Sequence, residues 1–436
     1  MGTRIQFYVL PLLVCSALTA SFEAESAVLD VDRAIAASLP KLIDIRHRIH
    51  ANPELGNREV ETAALVAHEL RRLGLEVEED VGLTGVVGVL EGGLPGPVVA
   101  VRADMDALPV TEETDLAFRS VKRGLYLGQE VGLAHACGHD IHTSVVLGVA
   151  AALAPNRQEL AGTVKFIFQP AEEGPPPGEP GGAKRMLDEG AFGVPKPKVI
   201  FGLHSWPSLE IGTVGWAAGP TMAAVDHFVV KVRGKQSHGA YPHLGVDPIV
   251  MASQVVTALQ TIRSRNLSPL EPSVVTVGII RGGERFNIIP AEVHLEGTVR
   301  TFSDDAREEV KRRITKILEG VTTAGGGSYE IVQYQNNAPA TINDPELALR
   351  VRPALENAVG AESVIETSPT MGGEDFAYFA NEVPGFYFRL GVVEKGMESG
   401  GLHTPTFRAG DGAVEVGIRA MVGLVLEFLG GPQPTE

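Results

Sequence analysis

Basic and aromatic residues are scarce in this chain of 436 residues. Lys and Arg number 37 against 54 Asp and Glu, the formal net charge is −17, and only 6% of the residues are aromatic. Proteins that bind nucleic acids need a basic stripe or stacking aromatics, so we expect no nucleic-acid partner. The apolar fraction of 44% and the charged fraction of 21% are ordinary for a globular protein and exclude wholesale disorder.

Cysteine is also rare, since Cys15 and Cys137 are the only two. Cys15 lies in an N-terminal stretch in which one positive charge is followed by sixteen uncharged residues. This pattern is typical of a secretory signal peptide and is too short for a stable membrane span. We therefore predict a signal peptide over residues 1–21, a secreted or periplasmic mature chain without a transmembrane span, and no intramolecular disulfide. The alternative is a lipoprotein anchored through Cys15, because residues 12–15 loosely match a lipoprotein box.

Helix-like and strand-like segments alternate from about residue 31 onward. Short β-branched runs at 98–102, 164–168 and 199–203 predict buried strands, and the apolar segment 141–153 predicts a helix between two of them. This alternation predicts an α/β catalytic domain built on a mainly parallel sheet. A further helix is predicted from Val60 to Leu70, with Asn57 as its N-cap and Gly74 as its stop.

The pattern changes near residues 219–220, where strands and helices follow one another in the order β-α-β-β-α-β. This order predicts a smaller inserted α+β domain of ferredoxin-like type. Its predicted strands are 225–232, 274–280 and 292–301, and its helices are 247–262 and 304–318. We place the first part of the catalytic domain at 31–219, the inserted domain at 221–334 and the second part of the catalytic domain at 335–430.

Acids and a histidine follow the predicted parallel strands of the catalytic domain. The first strand ends at Asp104 and Asp106, the second leads into Glu172-Glu173, and the third ends at His204. Because the carboxyl ends of parallel strands form the ligand crevice of such sheets, we expect these side chains to meet. Their residue types favour a bound cation.

Two loops add further ligands to this edge. Cys137 and His139 stand two residues apart around a glycine, and His403 lies in a loop near the C-terminal end. Thiolate, imidazole and carboxylate donors suit zinc, with manganese, cobalt or nickel as alternatives. Five ligands exceed one tetrahedral site and predict two divalent ions, held by Cys137, His139, Glu173, His204 and His403.

The neighbouring glutamates 172 and 173 point in different directions if the loop is extended. One can then bind metal while the other takes a proton from the attacking water. The main chemical rival is a Cys137 thiol nucleophile with His135 or His139 as its base. The surrounding carboxylates disfavour that thiolate unless a cation lies beside it.

Nine short motifs in one order give the chain a family resemblance. It is similar to metallopeptidase family M20, and within it to the amidohydrolase branch, subfamily D, which includes hippurate hydrolases, N-acyl-amino-acid amidohydrolases and auxin-conjugate hydrolases. The motifs are HRIHANPEL from His47, RADMDALP from Arg102, HACGHDIHT from His135, FQPAEEG from Phe168, GLH from Gly202, SHGAYP from Ser237, FNIIP from Phe286, GGEDF from Gly372 and LHTP from Leu402.

The resemblance implies metal-dependent hydrolysis of an N-acyl amino acid or a short peptide. It matches the five residues above to the metal ligands, Glu172 to the general base and Asp106 to an acid that orients a ligand. His238 of the inserted domain matches the residue that stabilises the developing oxyanion, and it can come from a partner subunit in a homodimer formed through that domain. Asn287 matches a position near the substrate carboxylate.

Plainer interpretations stay open for several of these residues. His238 can be a turn residue before a glycine, and Asn287 can cap a strand. The Pro-rich segment 175–180 is predicted to line the pocket and to alter which acyl group fits. A function of another class is an exported clamp that binds a metal or peptide without catalysis, although such a clamp has no need of Glu172.

Overall fold

The computed structural model describes residues 1–2 and 30–430. Apart from its first two residues, the predicted signal peptide lies outside the described residues, as does Cys15 with its alternative role as a lipid anchor. Within residues 30–430, no helix is both long enough and apolar enough to cross a membrane.

The first part of the chain alternates helices and strands as predicted. Its elements are α1 (Val31–Ala51), α2 (Val60–Arg72), β1 (Glu76–Val81), β2 (Gly85–Glu91), β3 (Leu94–Asp104), β4 (Arg123–Tyr126), β5 (Gln129–Gly132), α3 (His139–Leu153), β6 (Ala161–Gln169), α4 (Gly182–Asp188), β7 (Val199–Glu210), β8 (Val214–Trp216) and β9 (Gly219–Met222).

The remaining elements form the inserted domain and the return to the large sheet. They are β10 (Ala224–Arg233), β11 (Ser237–His238), α5 (Pro248–Thr261), β12 (Ser273–Gly282), β13 (Ile288–Ile289), β14 (Glu292–Thr301), α6 (Asp304–Ala324), β15 (Ser328–Ala338), β16 (Thr341–Asn343), α7 (Pro345–Val359), β17 (Val364–Glu366), α8 (Phe376–Glu382), β18 (Gly385–Val393) and α9 (Gly412–Gly430).

Within residues 30–430, the large sheet has eight strands in the order β1-β2-β6-β3-β7-β18-β8-β17. The neighbours β6 and β3, β3 and β7, and β7 and β18 run parallel, which confirms the predicted fold class. One apolar cluster packs α1, α3, α7 and α9 on one face of the sheet, and a second packs α4 and α8 on the other. The loops at the carboxyl ends of β3, β6 and β7 therefore open at one edge.

Strand β7 is longer than predicted. The prediction that it ends at His204 is wrong, because β18 pairs with it as far as Glu210. His204 consequently lies within β7 at a position that is paired with β18. This pairing fixes its side chain more firmly than the end of a strand would.

The N-terminus of α2 also differs from the prediction. Its N-cap is Glu59 and not Asn57, whose backbone is in the left-handed region with φ 60. The carboxylate of Glu54 instead accepts the N–H of Glu61 at 3.1 Å and so satisfies the first turn. The predicted stop is confirmed, since the helix ends shortly before Gly74, a glycine with φ 80.

The inserted segment forms a four-stranded antiparallel sheet in the order β12-β14-β10-β15. Alternate residues of β10 point to α5 and α6 and share their own apolar core with them, including Phe228 and Val232. This is the ferredoxin-like arrangement expected from the order of its elements. Strand β15 runs to Ala338, past the predicted boundary at residue 334.

Candidate active site

The five predicted metal ligands lie in one cluster at the edge of the large sheet. Single ligand atoms of Cys137, His139 and Glu173 all lie within 4.8 Å of one another. His204 joins them through Nε2, 3.4 Å from Cys137 Sγ. His403 joins them through Nε2, 2.9 Å from Glu173 Oε1.

The turn that carries Cys137 and His139 depends on the glycine between them. Gly138 has φ 88, and a Cβ there would lie 2.6 Å from the Ser205 hydroxyl, so only glycine fits. His139 then begins α3. His403 is also in the left-handed region, with φ 63, and its N–H donates to the Ala136 carbonyl at 2.8 Å. This bond holds the His403 loop against the turn.

Asp106 holds the two neighbouring glutamates in place. Its Oδ1 accepts the Glu172 N–H at 3.1 Å, and its Oδ2 accepts the Glu173 N–H at 3.0 Å. Its Oδ1 also lies 3.3 Å from His139 Nδ1. One buried carboxylate thus orients a predicted base and two predicted ligands.

Glu172 lies beside the ligands and among other acids. Its Oε2 is 4.0 Å from His139 Nε2, and a carboxylate oxygen lies within 4.8 Å of Asp104 and Glu374 oxygens. Burial, followed by the charges of Glu374 and Glu173, raises the pKa of Glu172 well above its ordinary value. A carboxyl in such surroundings holds a proton firmly enough to deliver it to a leaving group.

The charges of the site favour a cation. Burial raises the pKa of the Cys137 thiol well above its ordinary value, and Glu173 and Glu172 add to the effect. Burial would lower the pKa of His139, but Asp104, Asp106 and Glu173 outweigh it and raise this pKa to about 10. The carboxylates here thus stabilise positive charge, and a thiolate is favoured only when a cation compensates it.

An unpartnered buried atom completes the test for a metal. Within residues 30–430, Nε2 of His139 is buried without a hydrogen-bond partner, and its nearest carboxylate oxygen, on Asp104, is 3.7 Å away. Thiolate, imidazole and carboxylate are the donors that zinc and its neighbours take. The residues present therefore fit a divalent metal ion.

The thiol alternative receives less support. Neither His135 nor His139 hydrogen-bonds to Cys137 in the described part of the chain, and the imidazole beside the sulfur is that of His204. Burial lowers the pKa of His204 to about 4, so that imidazole is neutral near pH 7. Among the described residues, no ion pair with an imidazolium activates the thiol as a nucleophile.

A layer of support beneath the cluster was not assigned from the sequence. His142 Nδ1 lies 2.6 Å from Asp104 Oδ1, and His142 Nε2 accepts the Ser205 N–H at 2.7 Å. The two residues thereby link α3 to β3 and to the strand that carries His204. A sequence signal existed, because His142 follows His139 by three residues and lies on the same side of α3.

Arg102 forms the second half of this support. It is fully buried and donates to Asp104 Oδ2 at 2.8 Å, to Glu374 Oε1 at 3.0 Å and to Gln169 Oε1 at 2.8 Å. The Tyr387 hydroxyl also donates to Glu374. These bonds join β3, β6, β18 and the start of α8 below Glu172, and no local pattern in the sequence indicates them.

Comparison with known proteins identifies the family. Residues 100–427 match the family model described as peptidase family M20/M25/M40. The chain belongs to this family. It is 40% identical over 353 residues to the N-acetyl-L-cysteine deacetylase of Bacillus subtilis, covering 81% of this chain and 80% of the relative. It is 38% identical over 392 residues to thermostable carboxypeptidase 2 of Saccharolobus solfataricus, covering 89% of this chain and 95% of the relative.

A solved structure supports the same assignment. The Bacillus subtilis YXEP protein, described as a dinuclear metal binding peptidase from the M20 family, matches with a TM-score of 0.76 and 34% identity. The match covers 91% of this chain and 99% of that structure. The large mixed sheet with an inserted domain is therefore an M20 fold.

The two predicted residues of the inserted domain lie next to each other in this M20 chain. His238 pairs with Ile288 in the short β11–β13 ladder, and the Gly239 N–H donates to the Asn287 carbonyl at 2.8 Å. Among the described residues, neither His238 nor Asn287 has a hydrogen bond or ion pair with a predicted ligand. Their roles stay predictions.

The Pro-rich loop after Glu173 is tethered on its far side. The Glu179 carboxylate pairs with Arg58 at 2.6 Å and accepts a bond from the Asn57 amide at 3.2 Å. The same amide donates to the Pro180 carbonyl at 3.0 Å. Asn57, whose backbone is in the left-handed region, thus holds this loop through its side-chain amide. Selection of the acyl group by the loop stays a prediction.

Proposed function

We propose that this chain hydrolyses the amide bond of N-acyl amino acids or short peptides in a reaction that requires divalent metal ions. The observation that carries the proposal is the convergence of five ligand-type side chains beside a separate buried carboxyl, Glu172. Relatives named as a deacetylase and a carboxypeptidase support an amide as the reacting group.

Two cations fit the proposed ligand set of Cys137, His139, Glu173, His204 and His403. We propose zinc, with manganese, cobalt or nickel as alternatives, because the donors mix thiolate, imidazole and carboxylate. The related YXEP protein is described as dinuclear, which supports the number two. When bound, such ions polarise the scissile carbonyl and lower the pKa of the water that attacks it.

In this proposal Glu172 transfers the proton, and Asp106 holds Glu172 in position. The Glu172 carboxylate accepts a proton from the attacking water and delivers it to the nitrogen of the leaving amine. The raised pKa of Glu172 favours the protonated form that this second transfer needs. Asp106 keeps the Glu172 backbone fixed through its hydrogen bond to that residue's N–H.

The inserted domain supplies the remaining groups in this proposal. Its His238 donates a hydrogen bond to the carbonyl oxygen as negative charge develops there. Because His238 is exposed and has no hydrogen bond or ion pair with a proposed ligand among the described residues, it reaches the substrate by closure of the inserted domain or from a second copy in a homodimer. Asn287, beside it, lies near the substrate carboxylate. We further propose export of the chain on the basis of residues 1–21.

The decisive experiment substitutes Glu172 with Gln, a change of one atom. We expect kcat on a panel of N-acetyl and N-benzoyl amino acids to fall by about 100- to 10,000-fold. The metal content, measured by elemental analysis, should match that of the wild type. The surface variant Glu362→Gln provides the control and should retain wild-type kcat.

Two results would contradict the proposal. Full turnover by Glu172→Gln would remove this residue from the reaction, and turnover that survives thorough chelation would favour the thiol mechanism. Metal-loaded wild-type protein that releases no amine from the whole panel would instead indicate the binding clamp.

A further inference from the structure

Ala171, the residue before Glu172, has a backbone conformation that residues with a Cβ rarely adopt. Its φ is 52, in the left-handed region, and the residue is only 1% exposed. This conformation is costly for any residue other than glycine, because the Cβ approaches the following carbonyl oxygen. Such a conformation persists only where the surrounding structure holds it, so Ala171 requires a group that fixes its backbone.

The carboxylate of Glu59 is that group. Its Oε1 accepts the Ala171 N–H at 2.8 Å, and its Oε2 accepts the Thr84 hydroxyl at 2.7 Å. Glu59 is the N-cap of α2, but its side chain makes no capping hydrogen bond with the helix that it begins. The carboxylate is therefore used to hold the loop that follows β6 and not to stabilise its own helix.

The position of Glu59 makes its charge costly. The residue is fully buried. Burial, followed by the charge of Asp106, raises the pKa of Glu59 to about 7. A buried carboxyl whose ionised form is disfavoured in this way is typical of functional sites, whereas an acid that served only stability would be paired or exposed.

Three successive N–H groups of this loop bond to two carboxylates. Ala171 donates to Glu59, while Glu172 and Glu173 both donate to Asp106. The two carboxylates come from different parts of the chain, one from the start of α2 and the other from the loop after β3. The bonds to Asp106 fix the two glutamates, and the bond to Glu59 fixes the turn that leads into them.

We propose that Glu59 is a positioning residue for the reaction, because it holds Ala171 in the left-handed conformation and thereby directs the Glu172 carboxyl. The inference rests on the proposed function, in which Glu172 transfers the proton. Relaxation of Ala171 to an ordinary backbone conformation would redirect the chain at the next residue. A displacement of about 1 Å at a reacting group costs about 100-fold in rate.

The first test removes the bond and then replaces it conservatively. We expect Glu59→Ala to lower kcat on an N-acetyl amino acid by about 10- to 100-fold at wild-type metal content. Glu59→Gln should keep kcat within about 3-fold, because its amide oxygen can still accept the Ala171 N–H and its amide nitrogen can donate to Thr84. Glu61→Ala is the matched control, since Glu61 is an exposed glutamate in the first turn of the same helix.

A second test separates positioning from support of the fold. Glycine adopts the left-handed conformation without strain, so Ala171→Gly should keep wild-type kcat and should reduce the need for Glu59. In the Ala171→Gly background, we expect the loss caused by Glu59→Ala to be about 10-fold smaller. If Glu59 only supported the fold, the loss would be the same in both backgrounds.

Hydrogen exchange of the metal-loaded enzyme gives a readout that is independent of activity. The Ala171 N–H is bonded to a buried carboxylate and should exchange slowly in the wild type and in Glu61→Ala. In Glu59→Ala it should exchange faster. Unchanged slow exchange would show that this bond does not hold the loop, and it would overturn the inference.

The kinetic outcomes separate this inference from the proposed function. Wild-type kcat in Glu59→Ala, an equal loss in Glu59→Gln, or an undiminished loss in the Ala171→Gly background overturns the inference alone. Full turnover by Glu172→Gln contradicts the proposed function, and the inference fails with it. If Glu59→Ala does not fold, Glu59→Asp decides, because its shorter side chain does not reach the Ala171 N–H. Its kcat should fall by about 10-fold, and wild-type kcat overturns the inference.

Discussion

The edge of the large sheet and the edge of the inserted domain carry predicted site residues in opposite settings. Cys137, His139 and His204 are buried and held by neighbours in three directions. His238 is exposed and sits in a ladder of only two residue pairs. The proposed metal ligands are therefore held by the large sheet, whereas the residue proposed to stabilise the oxyanion belongs to a short and less constrained ladder.

The physical origin of the difference is the number of elements that meet at each place. Parallel strands β3, β6 and β7 end at one edge, so loops distant in sequence converge there. The β11–β13 ladder lies outside the four-stranded sheet of its own domain. Elements with few buried contacts open and move at low cost.

Among the substitutions in the inserted domain, removal of the His238 imidazole is expected to lower the activity most. If His238 has its proposed role, His238→Ala should lower kcat by about 100- to 1,000-fold, because it deletes the hydrogen bond proposed to form as the oxyanion develops. Metal content should stay at the wild-type level, since no predicted ligand contacts His238. The control is His243→Ala, an exposed histidine in the same loop region. An equal loss in both variants would mean that loop structure, and not the imidazole, is responsible.

A mixture of two inactive variants shows where His238 acts. If a second copy supplies it, mixing Glu172→Gln with His238→Ala recovers part of the activity, because one mixed site has both intact residues. If His238 acts within its own chain, the mixture stays inactive. Recovery also requires a dimer, which light scattering measures independently.

The pH dependence of stability tests the buried charges of the catalytic domain. His50 is buried, and its ring nitrogens lie 3.0 Å from Asp140 and 3.2 Å from Glu112. Burial lowers the pKa of His50, but the two carboxylates outweigh it and raise the pKa from 6.5 to about 9. A raised pKa stabilises the folded state fully below pH 6.5, and this contribution is lost as the pH rises through 9.

We therefore expect His50→Gln to lose more stability in acid than in alkali. The gap in unfolding free energy between wild type and variant should shrink by up to about 3 kcal/mol between pH 6 and pH 9.5. Urea unfolding at the two pH values measures it, with His68→Gln on the exposed side of α2 as control. A gap independent of pH would show that His50 is not charged in the folded protein.

The sequence predicted the parts of the structure that depend on local patterns. β-branched runs marked β3, β6 and β7, and the glycine between Cys137 and His139 marked the tight turn. The group that satisfies the first turn of α2 was missed because it is the Glu54 carboxylate, which lies outside the local pattern. The support by Arg102 was missed because its partners Glu374 and Gln169 are distant from it in sequence and meet it only in the folded chain.

The smallest expected effect concerns Asn287 and tests whether the inserted domain contributes to substrate recognition. The Asn287 Oδ1 is buried without a partner, so Asn287→Ala breaks no hydrogen bond of that atom and should leave the thermal midpoint unchanged. If the amide binds the substrate carboxylate, KM for an N-acyl amino acid should rise by about 10-fold, because a hydrogen bond to a charged group contributes about 1.5 kcal/mol. A lowered midpoint with unchanged KM would make Asn287 a structural residue. A raised KM at constant stability would instead make the inserted domain a place of recognition, which is the role expected of a part that moves.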